Sequence, residues 1–125
     1  MKLIEIVSKE EATVEAQKIL RELMIELSTV VDGKWDEITG WRDSHAKLPA
    51  YKLKTKNVKM VIRPFWTNDE FYNITTSLSV TPESQEAKDG LWRRVRDVVK
   101  KVAPGFVDTK QNKNGMYDWD IEIAN

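Results

Sequence analysis

The segment from residue 51 to residue 80 alternates between apolar and polar side chains, and this alternation constrains the fold more than any other feature of the chain. Tyr51–Thr55, Val58–Trp66 and Glu70–Val80 are predicted to form three strands joined by polar turns. The apolar side chains of the third strand, which point one way, are Tyr72, Ile74, Leu78 and Val80. The polar ones, which point the other way, are Asn73, Thr75, Ser77 and Ser79. One apolar and one polar face indicate an antiparallel sheet that helices cover on a single side.

Apolar residues recur at helical spacing in two further segments. The first follows a short predicted strand over Lys2–Val7, begins with a capping box formed by Ser8 and Glu11, and continues until Asp32-Gly33. Val14, Met24 and Ile25 lie off its main apolar stripe and widen the apolar surface beyond what one sheet needs. We therefore expect either cover by the following loop or self-association through this helix.

The second helical segment begins at Thr81-Pro82-Glu83, which supplies a capping hydroxyl, a proline at the first helical position and an acid in the first turn. Pro104-Gly105 ends it. Beyond it, Asn114-Gly115 predicts a hairpin between Phe106–Thr109 and Met116–Ile123. The side chains expected in the core are Leu20, Leu23 and Leu27 of the first helix, Leu91, Val95 and Val98 of the second, and Ile62, Ile74, Leu78, Trp119 and Ile121 of the sheet.

Residues 33–50 show neither the period of a strand nor that of a helix, so they are predicted to form an irregular loop with room for one helical turn. We expect Trp35 and Trp41 to pack this loop against the rest of the domain. The order of elements predicts a single α+β domain over residues 1–125, in which two helices cover one face of an antiparallel sheet. A ferredoxin-like, split βαββαβ arrangement is the nearest common topology.

Composition narrows the function. The 20 basic and 20 acidic side chains cancel, so the molecule as a whole has no field that attracts nucleic acid or an anionic membrane. The absence of cysteine excludes disulfides, thiolate catalysis and cysteine-ligated metals. The N-terminus does not resemble a signal peptide, and the apolar stretches are too short to span a bilayer. We expect a cytoplasmic protein that uses no cofactor and no membrane partner.

A row of carboxylates is the strongest sign of chemistry. The last strand sets Asp118, Asp120 and Glu122 on one face at a spacing of two. Such a row suits Mg²⁺, so a small metal-dependent phosphodiesterase or nuclease-like enzyme is the alternative function. The neighbouring strands offer Thr, Ser, Asn and Lys instead of further acids, which favours an ordinary solvated face without a metal.

His45 is the only histidine and lies in a polar stretch of the loop. A nucleophilic triad requires groups that converge from separate elements, and residues so close along the chain seldom do so. We expect a histidine exposed to solvent.

The most suggestive cluster combines cations with an aromatic ring. The candidate binding residues are Lys54, Lys59, Arg63, Trp66, Arg93 and Arg94. Cations contact phosphates, aromatic rings stack on bases, and Arg and Trp are enriched in protein interfaces. The alternatives are that the lysines protect an edge strand, that the helical arginines pair with nearby acids, and that Trp66 closes the core.

Together these patterns predict a small non-enzymatic binding protein that self-associates and acts on a protein or nucleic-acid partner. A homodimer is the simplest assembly, because closed twofold dimers are the commonest. Small, cysteine-free α+β chains are frequent among accessory proteins of phages and mobile elements, an association that carries no physical argument.

Overall fold

The computed structural model describes residues 9–66, 72–105, 107–108 and 116–123. In chain order its elements are α1 (Lys9–Leu27), β1 (Trp35–Glu37), α2 (Trp41–Ser44), β2 (Tyr51–Lys54), β3 (Val58–Trp66), β4 (Tyr72–Val80), α3 (Gln85–Lys88), α4 (Leu91–Val102), β5 (Val107–Asp108) and β6 (Met116–Ile123). The predicted strand over Lys2–Val7, the capping residue Ser8 and the Asn114-Gly115 turn lie outside the described residues.

The first helix is shorter than the sequence predicts. It ends at Leu27 and not at Asp32-Gly33. The regular bonding to the carbonyl four residues back stops there, because the N–H groups of Thr29 and Val30 donate three residues back, to the Glu26 and Leu27 carbonyls, at 3.1 and 3.0 Å. Ser28 Oγ also donates to the Met24 carbonyl at 2.7 Å, and Thr29 Oγ1 donates to the Glu26 carbonyl at 2.6 Å.

Six described strands form one sheet in the order β1-β2-β3-β4-β6-β5, and each neighbouring pair is antiparallel. The predicted α+β class and the antiparallel sheet are confirmed. The ferredoxin-like, split βαββαβ arrangement is not confirmed, since it requires a strand between the meander and the last strand. Here β4 pairs directly with β6, from Tyr72 opposite Ile123 to Ser79 opposite Met116, which leaves no place for such a strand.

The core lies between the apolar face of the sheet and the helices α1 and α4, which also pack on each other. We call this side of the sheet the covered face. The predicted core residues are buried, with one exception, because Val98 is half-buried and Val99 takes the fully buried position. Leu91, Val95 and Val99 follow at intervals of four, so the buried stripe drifts further around α4 than it would with the predicted spacing of four and then three.

The second helical segment is divided. Gly90 adopts a left-handed conformation with φ of 71°, which separates the one-turn helix α3 from α4. The predicted start at Thr81-Pro82-Glu83 is wrong, because the Thr81 N–H donates to the Asn57 carbonyl at 2.9 Å and so joins Thr81 to the β2–β3 turn. Ser84 caps α3 instead, and its Oγ accepts the Ala87 N–H at 3.2 Å.

The predicted irregular loop over residues 33–50 contains regular structure. Its first part is strand β1, in which Trp35 pairs opposite Leu53 of β2, and its second part is the one-turn helix α2. Trp35 Nε1 donates to the Met24 carbonyl at 3.1 Å, which fastens the segment to α1. The loop therefore covers part of the extra apolar surface of α1, one of the two alternatives expected from the sequence. Among the described helices, none is long and apolar enough to cross a membrane.

Candidate functional site

The polar face of the sheet lies opposite the covered face, and we call it the open face. Strands β2, β3, β4 and β6 contribute alternate residues to it. Its described members are Lys52 and Lys54 of β2, Lys59, Val61, Arg63 and Phe65 of β3, Asn73, Thr75, Ser77 and Ser79 of β4, and Met116, Asp118 and Asp120 of β6. Most are half-buried or exposed, which leaves their polar groups within reach of a partner.

Lysines occupy one corner of the open face. Lys54 lies directly opposite Lys59 across the β2–β3 pair, and Lys56 lies in the turn between them. These three lysines line a hollow of about 260 Å³. None of them forms an ion pair with a carboxylate in the described part of the chain. Because like charges directly opposite each other destabilise a sheet, an anionic group at this corner would relieve the repulsion.

Arg63 lies at the centre of the open face. Its Nη2 donates to Ser77 Oγ at 3.0 Å, and its Nε is buried without a hydrogen-bond partner among the described residues. On the next strand, Asn73 Oδ1 is also buried and unpartnered within that part of the chain. The Arg63 side chain is only half-buried, so the exposed part of its guanidinium can donate to an acceptor from a partner, whereas the buried Nε cannot.

Carboxylates occupy the opposite side of the open face. Asp118 and Asp120 are half-buried on β6, whereas the side chain of Glu122 lies outside the described residues. Thr75 Oγ1 donates to Asp120 Oδ1 at 2.8 Å. Within the residues that the structure describes, no group of three metal-ligating side chains is suitably placed to hold an ion. The metal-dependent alternative stays a prediction, because the row of carboxylates on which it rests includes the side chain of Glu122.

An aromatic cluster adjoins the end of β3. The ring centroids of Trp41 and His45 lie 4.1 Å apart, and the Trp41 and Phe65 rings meet edge to face at 5.0 Å. Trp41 Nε1 donates to the Pro64 carbonyl at 2.8 Å, which fixes α2 beside the strand. His45 is exposed, as the sequence predicts, but it stacks on a ring and is not surrounded only by solvent. This cluster therefore extends the open face with flat apolar surface.

The structure places the six candidate binding residues on two sides of the molecule. Lys54, Lys59 and Arg63 share the open face, whereas Trp66 lies on the covered face, where its ring contacts Tyr72 with centroids 4.5 Å apart. Parity explains the split, because residues an odd number apart on a strand point to opposite faces. Arg93 and Arg94 are exposed on α4, in the helical layer.

Pro64 does not end the strand. A proline near the end of a strand predicts that ladder pairing stops beside it, and that prediction is wrong here, because β3 continues through Trp66 and pairs with β4 to that point. The pairing with β2 ends before the proline, at Tyr51 opposite Ile62, so Pro64 interrupts no pairing with that strand. The Pro64 carbonyl accepts a hydrogen bond from Trp41 Nε1 instead.

Tyr72 is the described group whose pKa departs clearly from its ordinary value. Burial raises the pKa of the phenol, and its hydrogen bond with Thr13, at 3.3 Å, opposes that rise in part. The group lies in the core below α1, so its perturbation reflects packing and not an exposed site.

Comparisons with protein-family models, with curated proteins and with solved structures found no match to this chain. Function is therefore inferred from the residues and their geometry alone. Sequence reasoning missed the cluster of Trp41, His45 and Phe65, although the shared parity of Arg63 and Phe65 already places both on one face.

Proposed function

We propose that the protein is a non-enzymatic binding protein that takes a protein partner on the open face. The observation that carries this proposal is that both signs of charge lie on one face. Lysines stand on β2 and β3, carboxylates stand on β6, and the hydroxyls and amide of β4 lie between them. Three strand spacings separate β2 from β6, a distance of about 14 Å.

This distribution favours protein over nucleic acid. A nucleic-acid backbone carries one sign of charge, so Asp118 and Asp120 would repel phosphates that the lysines attract. A protein surface carries both signs and can present an acidic group to the lysines and a basic group to the carboxylates. Arg63 at the centre of the open face, with Phe65 and Trp41 at the end of β3, supplies residue types that are enriched in protein interfaces.

The open face is tested by comparing captured proteins across variants. The wild-type chain, Arg63→Ala, Phe65→Ala and the control Arg94→Ala are each used as bait in the same lysate. A protein retained by the wild type and the control but lost with both open-face variants is then purified, and its affinity is measured by biolayer interferometry. We expect Arg63→Ala to weaken binding by about 2 kcal/mol or more, roughly 30-fold, chiefly through a faster off-rate.

Two results would contradict the proposal. Equal affinity of wild type and both open-face variants, with folding verified by circular dichroism, places the site elsewhere. Capture of nucleic acid instead, with affinity that falls steeply with salt and a slope that Arg63→Ala reduces by about one, supports the nucleic-acid partner.

Self-association is a second part of the proposal. Val14 and Ile25 are 64% and 60% exposed on α1, on the side of the helix that points away from the buried stripe. They lie about three helical turns apart, so a second copy can contact both. We expect sedimentation equilibrium to show a dimer that Ile25→Glu converts to a monomer near 14.5 kDa, while Arg94→Glu leaves it unchanged. A monomeric wild-type chain at high concentration would refute this part alone.

A further inference from the structure

We infer that a pocket between α1 and the segment of residues 42–51 binds a small anion that carries an apolar body. The pocket has a volume of about 380 Å³. This value lies within the range of roughly 300–1,000 Å³ that is typical of small-molecule sites. It lies beside the helical layer, and none of its described lining residues belongs to the open face, so the inference does not depend on the binding of a partner there. Ile25, which the proposed dimer would cover, is one of its lining residues.

Apolar side chains form much of the pocket. Leu20 and Met24 come from α1, Leu48 and Pro49 from the loop, and Tyr51 from the start of β2. Leu48 and Pro49 are buried, and Met24 and Tyr51 are half-buried, so these residues are held by the core on one side and face the pocket on the other. A hydrocarbon or aromatic group in the pocket would remove this surface from water.

Three cations surround the same space. Arg21, Arg42 and Lys47 line the pocket, and no carboxylate is among the lining residues that the structure describes. None of the three forms an ion pair with an acid in the described part of the chain. Lys47 Nζ lies 5.2 Å from the centroid of the Trp66 ring, a cation–π contact that restricts the position of its ammonium group.

The three cations that line the pocket favour an anionic ligand. Three cations without acids repel one another, and an anion between them converts that repulsion into attraction. A guanidinium presents its donors as a planar fork that matches a carboxylate or phosphate, so Arg21 and Arg42 can bind such a head group directly. A second copy is a poor occupant, because a twofold contact centred here would set the same cations against each other.

The inference is tested with three probes that separate the head group from the apolar body. 2-Naphthoate carries both, 2-naphthol carries the body without the charge at neutral pH, and inorganic phosphate carries the charge alone. Titrations followed by two-dimensional NMR should show saturable binding of 2-naphthoate, with shifts of the Leu20, Met24 and Tyr51 amides. We expect 2-naphthol and phosphate to bind at least about tenfold more weakly, since each lacks one of the two interactions.

Variants locate the site and separate it from the open face. Arg21→Gln and Lys47→Gln should each weaken 2-naphthoate binding by about tenfold, whereas Lys18→Gln, on the same helix but outside the pocket, should not. Arg63→Ala, which tests the open face, should also leave the affinity unchanged. Equal affinity for 2-naphthoate and 2-naphthol, no saturation, or full retention of binding in both pocket variants would overturn the inference.

Discussion

Replacement of Leu23 by alanine is expected to lower the free energy of unfolding by about 2–5 kcal/mol. Leu23 is fully buried at the centre of the α1 stripe, among the side chains that join the helix to the covered face. Truncation removes apolar contact and leaves a cavity that the surrounding helices and sheet fill only partly. Urea denaturation followed by circular dichroism measures the loss as a shift of the midpoint at nearly constant slope.

Ile25→Ala is the matched control on the same helix. Ile25 is 60% exposed, so the same kind of truncation there should cost less than about 1 kcal/mol. The comparison is made at a concentration at which both variants are monomeric, because loss of a dimer would also change the apparent stability. Equal losses at the two positions would show that the phase of α1 is wrong.

Replacement of Trp119 by alanine is expected to cost about 3–5 kcal/mol, which is a large part of the stability of a domain of this size. The side chain is 1% exposed on β6, and its ring stacks on Tyr117 with centroids 6.2 Å apart. Tyr117 stacks in turn on Trp92 of α4, so the indole belongs to an aromatic series that joins the last strand to the helical layer. Calorimetry or urea denaturation measures the loss.

Two further variants keep this result interpretable. Trp119→Phe retains an aromatic ring and should fall between the wild type and Trp119→Ala, even if the alanine variant does not fold. Met116→Ala, on the same strand but on the open face and 40% exposed, should change stability by less than about 1 kcal/mol. A larger cost at Met116 than at Trp119 would mean that β6 presents the opposite face to the core.

Local patterns determined the faces of the elements. The alternation along β4 placed Tyr72 and Ile74 on the covered side, and helical spacing placed Leu23 and Leu27 in the core, because side-chain direction follows directly from backbone period. Strand bounds were predicted equally well where a polar turn interrupts the alternation, as between β2 and β3.

Local patterns were less informative where two signals compete. Thr81 resembles a helix cap, but its N–H bonds to Asn57, and the actual cap is Ser84. Trp66 follows Arg63 closely in sequence and was predicted to share its surface, although strand parity separates the two side chains. A long-range hydrogen bond decides the first case, and the alternation of side chains along β3 decides the second.

The sequence by itself determined the class of fold, the antiparallel sheet, the covered face and nearly all of the predicted core, because each depends on periodicity within one element. Only the tertiary structure decided which strands are neighbours, and therefore that lysines and carboxylates share one face on either side of β4. It alone brought Arg21 of α1 to the same pocket as Arg42 and Lys47 of the loop. Pairing and packing between distant segments depend on the whole chain, and no local period encodes them.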